Sequence, residues 1–84
     1  MYRIIISPEA KEQLKKIKLK YRKDAISEAL EEIKDAPYSG KPLGDKLTGR
    51  FSYKLGMFRI IYKVNKKDKT VLLISAGHRS YIYN

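Results

Sequence analysis

The spacing of the apolar residues changes at Pro37, and this change limits the folds that the chain can adopt. Before Pro37, apolar residues recur every three or four positions, which places them on one stripe of a helix. The first stripe consists of Ala10, Leu14, Ile17 and Tyr21, and the second of Ile26, Ala29, Leu30 and Ile33. After Pro37, which cannot continue a helix, the apolar residues form short runs typical of strands. The pattern predicts two helices followed by a sheet.

Local signals mark where the first elements begin. The segment YRIIIS (2–7) is short, apolar and β-branched, which favours a strand. Ser7, Pro8 and Glu9 favour a helix start, because the serine oxygen can accept from a free N–H and proline suits the first helical position. A lysine-rich break, KLKYRK, separates the two helices, and Asp24 is a candidate N-cap of the second helix.

The second half of the chain contains one predicted loop and three predicted strands. Residues 37–50 are rich in glycine and proline, and we expect them to form a loop. The runs FSYKL, MFRIIYKV and TVLLISAGHR follow, and the polar segment NKKDK between the last two has the length of a hairpin turn. The predicted order is β-α-α-β-β-β, an α+β fold in which a small, mainly antiparallel sheet carries a two-helix hairpin on one face. We expect a single domain, residues 1–84.

Side-chain alternation divides each predicted strand into two faces. One face of MFRIIYKV is bulky and is expected to meet the helices through Phe58, Ile60, Tyr62 and Val64. The matching set in the last strand is Leu72, Ile74 and Ala76. The uncovered face then keeps the apolar residues Met57, Ile61, Val71 and Leu73. An apolar patch of this kind indicates that a partner docks on or beside it.

Two arginines are expected to meet at one end of the uncovered face. The NKKDK turn makes the last two strands antiparallel neighbours. Arg59, early in one strand, and Arg79, at the end of the other, therefore fall near the same end. Each guanidinium can give two charge-assisted hydrogen bonds to phosphate oxygens. The pattern predicts a phosphate-binding face.

The positive charge is concentrated in the second half of the chain. The net charge is +10, of which residues 1–36 contribute +2 and residues 37–84 contribute +8. Such a field favours nucleic acid or an acidic protein as partner. The absence of cysteine excludes disulfides, zinc–thiolate sites and thiol catalysis. No segment resembles a signal peptide or has the length of a membrane span, so a cytoplasmic protein is expected.

Three segments of the second half resemble motifs of one known family. PYSGKPLGDKLTG resembles that family's connecting loop, MFRIIYKV its strand with the pattern G-x-x-R-x-x-Y, and GHRSYIY its closing segment. Their order, after a strand and a helix pair, makes nearly the whole chain similar to the RelE/ParE superfamily of toxins from toxin–antitoxin modules. The resemblance implies a ribosome-dependent endoribonuclease that cuts messenger RNA in the A site. It also implies a co-expressed antitoxin, small and acidic or amphipathic, that holds the toxin inactive.

The resemblance assigns roles to individual residues. Arg59 matches the family's strand arginine, Arg79 the arginine that closes the last strand, and Tyr83 the terminal tyrosine. In ribosome-dependent members, these positions bind the scissile phosphate, stabilise or protonate the leaving group, and stack on a base. Lys54 is the best match to the family's strand lysines. Further candidates for RNA binding are Lys46, Arg50, Lys63 and Tyr81.

The chemistry that the resemblance implies needs no metal or cofactor. The 2′-OH of RNA can attack the adjacent phosphorus if the site aligns it, neutralises the phosphate and protonates the departing 5′-oxygen. Arg59 and Arg79 suit charge stabilisation, and Lys54 beside them suits a base, because clustered cations favour the neutral form of an amine. His78 is another acid–base candidate, but it alternates onto the helix side and is expected to be packed or hydrogen-bonded. No acidic cluster, second histidine or glycine-rich loop indicates a metal site, a hydrolytic triad or a nucleotide site.

Other interpretations stay open at the level of sequence. Arg79 could end its strand in solvent, the two terminal tyrosines could be structural, and the lysines of KKIKLKYRK could form a solvated helix surface. The alternative function is a ParE-like toxin that binds and inhibits DNA gyrase without cutting RNA. A third possibility is a degenerate copy that only binds its antitoxin. The fold does not choose among them.

Overall fold

The computed structural model describes residues 2–44 and 49–80. Its helices are α1 (Pro8–Lys18) and α2 (Lys23–Asp35), followed by a 3₁₀ turn at Pro37–Ser39. Its strands are β1 (Arg3–Ile6), β2 (Lys41–Pro42), β3 (Arg50–Leu55), β4 (Phe58–Asn65) and β5 (Thr70–His78). No helix within the described residues is long and apolar enough to cross a membrane.

The strands form one sheet in the order β1-β5-β4-β3-β2. Strands β2 to β5 pair in an antiparallel manner, whereas β1 lies parallel to β5. Such a parallel pair requires a long connection between its strands, and this connection contains both helices. The predicted α+β fold is confirmed, with both helices on the same face of the sheet.

Part of the segment predicted as a loop, residues 37–44, contains regular structure. It begins with the 3₁₀ turn and contains β2, which pairs with β3 through Lys41 opposite Ser52 and Pro42 opposite Phe51. Proline is compatible with this position because β2 is an edge strand. The prediction of a continuous loop was therefore wrong for β2, and this strand becomes one wall of the cleft described below.

The two helices begin differently from each other. Ser7 caps α1 as predicted, because its hydroxyl accepts a hydrogen bond of 3.1 Å from the N–H of Ala10. The prediction that Asp24 caps α2 was wrong, since the N-cap position is held by Arg22 without a side-chain cap bond. The hydrogen bond from the Arg22 guanidinium lowers the pKa of the Asp24 carboxyl group.

The core lies between the helices and one face of the sheet. The predicted helix stripes supply Ala10, Leu14, Ile17, Ile26, Ala29 and Ile33, all of them buried. Tyr62 is fully buried at the centre of the sheet, and its hydroxyl donates a hydrogen bond of 2.6 Å to the carbonyl oxygen of Pro37. This bond fixes the chain after α2 against the sheet, because the buried carbonyl has no water to replace the hydroxyl.

A β-bulge in β5 overturns part of the predicted face assignment. Ile61 pairs with Ser75 and Tyr62 pairs with Leu73, so that one extra residue, Ile74, lies between them on β5. An extra residue shifts the alternation of side chains. The shift places Val71 and Leu73 in the core at 0% exposure, although both were predicted on the uncovered face.

The residues on either side of the bulge therefore differ in how well they were predicted. Leu72 and Ile74 were expected beneath the helices, but Leu72 is 40% exposed and Ile74 does not join the core. Ala76 lies in the core as predicted. The exposed apolar residues of the uncovered face are Leu72, Met57 and Ile5, the register partner of Leu72 on β1. Ile61 lies on that face and is 3% exposed.

Candidate functional site

The uncovered face of the sheet brings three basic residues to one end. Lys54 on β3 is the direct cross-strand partner of Arg59 on β4, and Arg59 is in turn the partner of Gly77 on β5. Directly opposite side chains have Cβ atoms about 4.5–5.5 Å apart. Arg79 follows Gly77 by two positions, is exposed, and its N–H donates to the carbonyl of Met57 at 2.9 Å. We call Lys54, Arg59 and Arg79 the basic cluster.

The placement of the two arginines at the same end agrees with the expectation from the sequence. Arg59 lies on β4, and Arg79 directly follows the neighbouring antiparallel strand β5; they lie neither on opposite sides of the molecule nor beneath the helices. The bulge lies on the other side of Ala76 from this end, so the register from Ala76 onward follows simple alternation. The catalytic roles of these residues remain a prediction.

Hydrogen bonds to the backbone fix the guanidinium group of Arg59. Its Nη1 donates to the carbonyl of Gly56 at 3.2 Å and to the carbonyl of Phe58 at 3.0 Å. Both acceptors belong to the tight β3–β4 turn, where Gly56 adopts a φ of +61° that suits glycine. Within the described residues, the Nε and Nη2 groups have no acceptor, so three N–H donors remain for a ligand.

Lys54 and Arg59 of the basic cluster line a cleft between the uncovered face and the β2 edge of the sheet, which we call the open-face cleft. Its volume is about 430 Å³, and its lining residues are Ser39, Gly40, Lys41, Ser52, Tyr53, Lys54 and Arg59. Three of these residues are cations and none is acidic. Lys41 was not among the predicted site residues, because nothing in the sequence shows that the loop turns back onto β3. A cleft of this charge suits an anion.

Gly40 and Tyr53 shape the walls of the open-face cleft. A Cβ atom on Gly40 would clash with the Tyr62 hydroxyl and approach the Ser52 carbonyl to 3.1 Å, so the chain passes here only without a side chain. The Tyr53 hydroxyl donates to the Glu32 carboxylate of α2. Burial, reinforced by this carboxylate, raises the pKa of Tyr53 to about 12. Tyr53 therefore stays neutral and connects the cleft wall to α2.

A second basic pair extends the positive surface along the same face. Arg50 and Lys63 are direct cross-strand partners on β3 and β4. Four residues of strand separate Arg50 from Lys54, which corresponds to about 13 Å. Like charges directly opposite one another destabilise a sheet, yet both pairs persist without an ion pair within the described residues. Two such pairs on one face indicate a surface that binds a polyanion.

His78 lies apart from the basic cluster, on the helix side of the sheet as predicted. Its ring contacts Phe58 edge-on at 6.0 Å, and its Nδ1 accepts from the Ser80 N–H at 3.1 Å. Because Nδ1 is an acceptor there, the proton of the neutral ring resides on Nε2. The Nδ1 atom also contacts the Ser80 hydroxyl at 2.8 Å. His78 is thus packed and hydrogen-bonded, which matches the expectation for it.

Three predicted site residues, Lys46, Tyr81 and Tyr83, lie outside the described residues. Within residues 2–44 and 49–80, no group of three His, Cys, Asp or Glu side chains is arranged to hold a metal ion. The described part of the site therefore consists of cations, backbone amides and hydroxyl groups around an open cleft. Its chemistry is that of binding and charge neutralisation.

Comparison with family models gives one match that covers nearly the whole chain. Residues 4–83 match the model described as the ParE toxin of the type II toxin–antitoxin system, parDE. The matched range runs from within β1 past β5, so it includes all the elements described above except the first residue of β1. The match supports the same family as the segments quoted from the sequence.

Individual relatives agree with this match. The chain is 39% identical over 44 residues to Toxin RelG of Mycobacterium tuberculosis, a match that spans 52% of this chain and about half (51%) of RelG. A chain of the toxin–antitoxin complex RelBE2 from Mycobacterium tuberculosis is 27% identical, with a TM-score of 0.65 over 93% of this chain and 98% of that chain. YafQ from Escherichia coli is 16% identical, with a TM-score of 0.79 and full coverage of both chains, and shows the shared fold.

Proposed function

Because the chain belongs to the ParE toxin family of type II toxin–antitoxin systems, we propose that it is a toxin that cuts messenger RNA in the ribosomal A site. A cognate antitoxin, small and acidic or amphipathic, is its other partner. The observation that carries the nuclease proposal is the basic cluster, in which Lys54 and Arg59 face each other across two strands and Arg79 lies at the same end. The similarity to a chain of the RelBE2 toxin–antitoxin complex supports the antitoxin as partner.

The proposed reaction is a transesterification within the RNA. The 2′-oxygen forms a bond to the adjacent phosphorus while the bond from phosphorus to the 5′-oxygen breaks. The 2′-hydroxyl proton passes to a base, and a second proton passes to the departing 5′-oxygen. The products are a 2′,3′-cyclic phosphate and a free 5′-hydroxyl, so the atoms balance without water, metal or cofactor.

The basic cluster supplies what this reaction needs at the phosphate. The backbone bonds of Arg59 hold its guanidinium in place, and three N–H donors remain for the phosphate oxygens as negative charge grows on them. Donors that are fixed before the reaction need no reorganisation during it. Arg79 provides a second guanidinium at the same end, and Lys54 is the nearest candidate for a base or an acid. Lys41 adds a third cation to the open-face cleft.

The wider face suits an RNA strand rather than an isolated phosphate. Arg50 and Lys63 lie about 13 Å from Lys54 and Arg59 along the strands, a distance that spans more than one nucleotide. Contacts with several phosphates release counterions and make binding salt-dependent. Lys46, Tyr81 and Tyr83 complete the proposed RNA contacts, with the tyrosine rings available for base stacking.

A second candidate function is inhibition of DNA gyrase by binding. It is favoured by one observation, namely that the matching family model is that of the ParE toxin. In this alternative the same cations would contact an acidic protein surface and no bond would break. The two functions differ in their products, so one pair of assays separates them.

The test uses purified protein, ribosomes and a short messenger RNA. We expect cleavage within the A-site codon, and we expect that replacing the 2′-hydroxyl of the scissile nucleotide with hydrogen abolishes it, because the nucleophile is then missing. The variant Arg59→Gln keeps a polar side chain but loses the charge. We expect it to cut RNA at least about 100-fold more slowly than the wild type. If the RNA stays intact and gyrase no longer supercoils DNA, the nuclease proposal is refuted and the gyrase-inhibitor proposal is supported.

A further inference from the structure

A second cleft lies on the helix side of the sheet, at the same end as the basic cluster. Its volume is about 250 Å³, and its lining residues are Gln13, Lys16, Ile17, Lys20, Phe58, Ala76 and Gly77. Gly77 is the register partner of Arg59, which lines the open-face cleft, so the two clefts meet at paired positions of β4 and β5. We call it the helix-side cleft. The proposed reaction uses none of its side chains.

The side chain of Gln13 is oriented within the helix-side cleft. Its Oε1 accepts a hydrogen bond of 2.8 Å from the backbone N–H of Ala76. A backbone N–H can only donate, which fixes the oxygen toward the sheet and assigns the amide orientation. Within the described residues the Nε2 group has no acceptor, so two N–H donors remain in the cleft for an occupant.

The remaining walls of the cleft combine cations with an apolar surface. Lys16 lies in the last turn of α1 and Lys20 lies two residues beyond its end. Neither forms an ion pair within the described part of the chain. The apolar wall consists of Ile17 and the half-buried ring of Phe58, which makes edge contacts with the rings of Tyr21 and His78. No acidic residue lines the cleft. The cleft therefore offers a positive rim, a flat apolar wall and an oriented amide donor.

We propose that the helix-side cleft binds one unstacked nucleotide of the RNA partner, with its phosphate on Lys16 and Lys20 and its base between Phe58 and the Gln13 amide. This inference rests on the proposed function, which supplies RNA as the partner. Unpaired bases are recognised by stacking on rings and by hydrogen bonds to their edges. A carboxylate of an acidic peptide would use the lysines but would leave the ring and the oriented amide without a role.

The size of the cleft agrees with a single nucleotide. Sites for drug-sized ligands typically occupy about 300–1,000 Å³, and the helix-side cleft lies just below this range at about 250 Å³. A folded RNA element or a helix of a protein partner could not enter it. A small group that projects from a larger partner fits, and a base turned out of its stack is such a group.

The variant that tests this proposal is Gln13→Glu. The glutamate oxygen can still accept from the Ala76 N–H, so the fold is retained, but the two donors are lost and a negative charge faces the phosphate. The matched control is Lys15→Gln, which changes the net charge by the same amount on the same helix. Lys15 is exposed, pairs with Glu12 and does not line the helix-side cleft.

The measurement is the fluorescence anisotropy of a labelled hexaadenylate RNA titrated with the full-length protein. We expect Gln13→Glu to weaken binding at least fivefold and Lys15→Gln to weaken it less than twofold. Lys16→Gln serves as a second variant. Because Lys16 is exposed, we expect this substitution to leave the fold intact. Each lost phosphate contact reduces the magnitude of the negative slope of log affinity against log salt by about 0.7 for single strands. Lys16→Gln should show this reduction and Lys15→Gln should not.

The outcomes separate this proposal from the function on which it rests. Equal weakening by Gln13→Glu and Lys15→Gln would overturn the nucleotide site, while ribosome-dependent cleavage by the wild type would leave the nuclease intact. If the wild type does not cleave RNA but RNA binding still depends on Gln13, the nuclease proposal is overturned and the nucleotide site is supported. Binding of a decaglutamate peptide in place of RNA, with the same dependence on Gln13, would assign the cleft to a protein partner and overturn the proposal.

Discussion

Replacing Tyr62 with phenylalanine removes one oxygen atom from the centre of the sheet. That oxygen donates a hydrogen bond of 2.6 Å to the carbonyl of Pro37, and the tyrosine is 0% exposed. The phenylalanine ring fits the same space, so packing is retained. The carbonyl of Pro37, in contrast, is left buried without its donor. We therefore expect a loss of stability that comes from the lost hydrogen bonding of this hydroxyl, which also interacts with the backbone of Gly40.

The size of this loss follows from the burial of the group. Leaving a buried acceptor unsatisfied costs about 1–3 kcal/mol in the free energy of unfolding. For a domain of 60–100 residues, each kcal/mol lowers the Tm by about 4–8 °C. Tyr62→Phe should therefore melt at least about 4 °C below the wild type. Because Pro37 leads into the turn that carries Ser39 and Gly40, the same bond also holds one wall of the open-face cleft in place.

The assay is thermal and urea unfolding followed by circular dichroism, with Tyr21→Phe as matched control. Tyr21 loses the same atom, but its hydroxyl makes no hydrogen bond within the described residues. Its ring packs edge-on against Phe58 at 5.9 Å. We expect the control to change the Tm by less than about 2 °C. If Tyr62→Phe were as stable as this control, the account of how the chain after α2 is fixed to the sheet would be refuted.

The remaining predictions concern the site, the cleft wall and the partner. Lys54→Met and Arg79→Gln should each slow RNA cleavage by about 10²–10³-fold with an unchanged circular dichroism spectrum; full activity in both would remove the basic cluster from the mechanism. Gly40→Ala should lower the free energy of unfolding by about 1–3 kcal/mol, because its Cβ clashes with Tyr62 and Ser52; urea unfolding measures this, and wild-type stability would contradict it. The raised pKa of Tyr53 stabilises the fold below pH 10 and loses this contribution as the pH rises through about 12. The stability difference between the wild type and Tyr53→Phe should therefore shrink over this interval, and a constant difference would count against it. Association with the antitoxin should weaken as salt is raised, since the chain carries +10; affinity independent of salt in calorimetric titrations would exclude charge as its main cause.

Much of the fold could be predicted because its signals are local. The buried positions of both helices follow from the spacing of Ala10, Leu14 and Ile17 in α1 and of the matching residues in α2. Ser7 caps α1 because a serine before proline satisfies a free N–H wherever the helix packs. Asp24 is not the cap because α2 begins at Lys23, which places Asp24 inside the first turn, where its carboxylate pairs with Arg22.

The bulge in β5 could not be predicted, because it depends on a neighbouring strand. The segment TVLLISAGHR is apolar at nearly every position, so alternation gives no preferred face. The register is set by pairing, where Ile61 meets Ser75 and Tyr62 meets Leu73. The prediction for Arg79 was unaffected, since Arg79 and Arg59 both lie at the end of the hairpin away from the bulge.

The site shows the same division between local and tertiary information. The positions of Arg59 on β4 and of Arg79 just after β5 could be predicted because strand alternation is a local property of the sequence, whereas Lys54 was assigned from the family resemblance. Lys41 and Gln13 could not be predicted, because Lys41 reaches the open-face cleft through a two-residue strand. Gln13 reaches the helix-side cleft through a hydrogen bond that spans 63 positions. The roles assigned to Lys46, Tyr81 and Tyr83 remain predictions.

The most direct test of the central claim is a map of messenger RNA 5′ ends in cells that express the toxin without its antitoxin. The account predicts new ends inside codons of translated regions, with 5′-hydroxyl groups, in the wild type and their loss in Arg59→Gln. Growth arrest by the wild type without such ends would contradict the proposal that the basic cluster holds a scissile RNA phosphate.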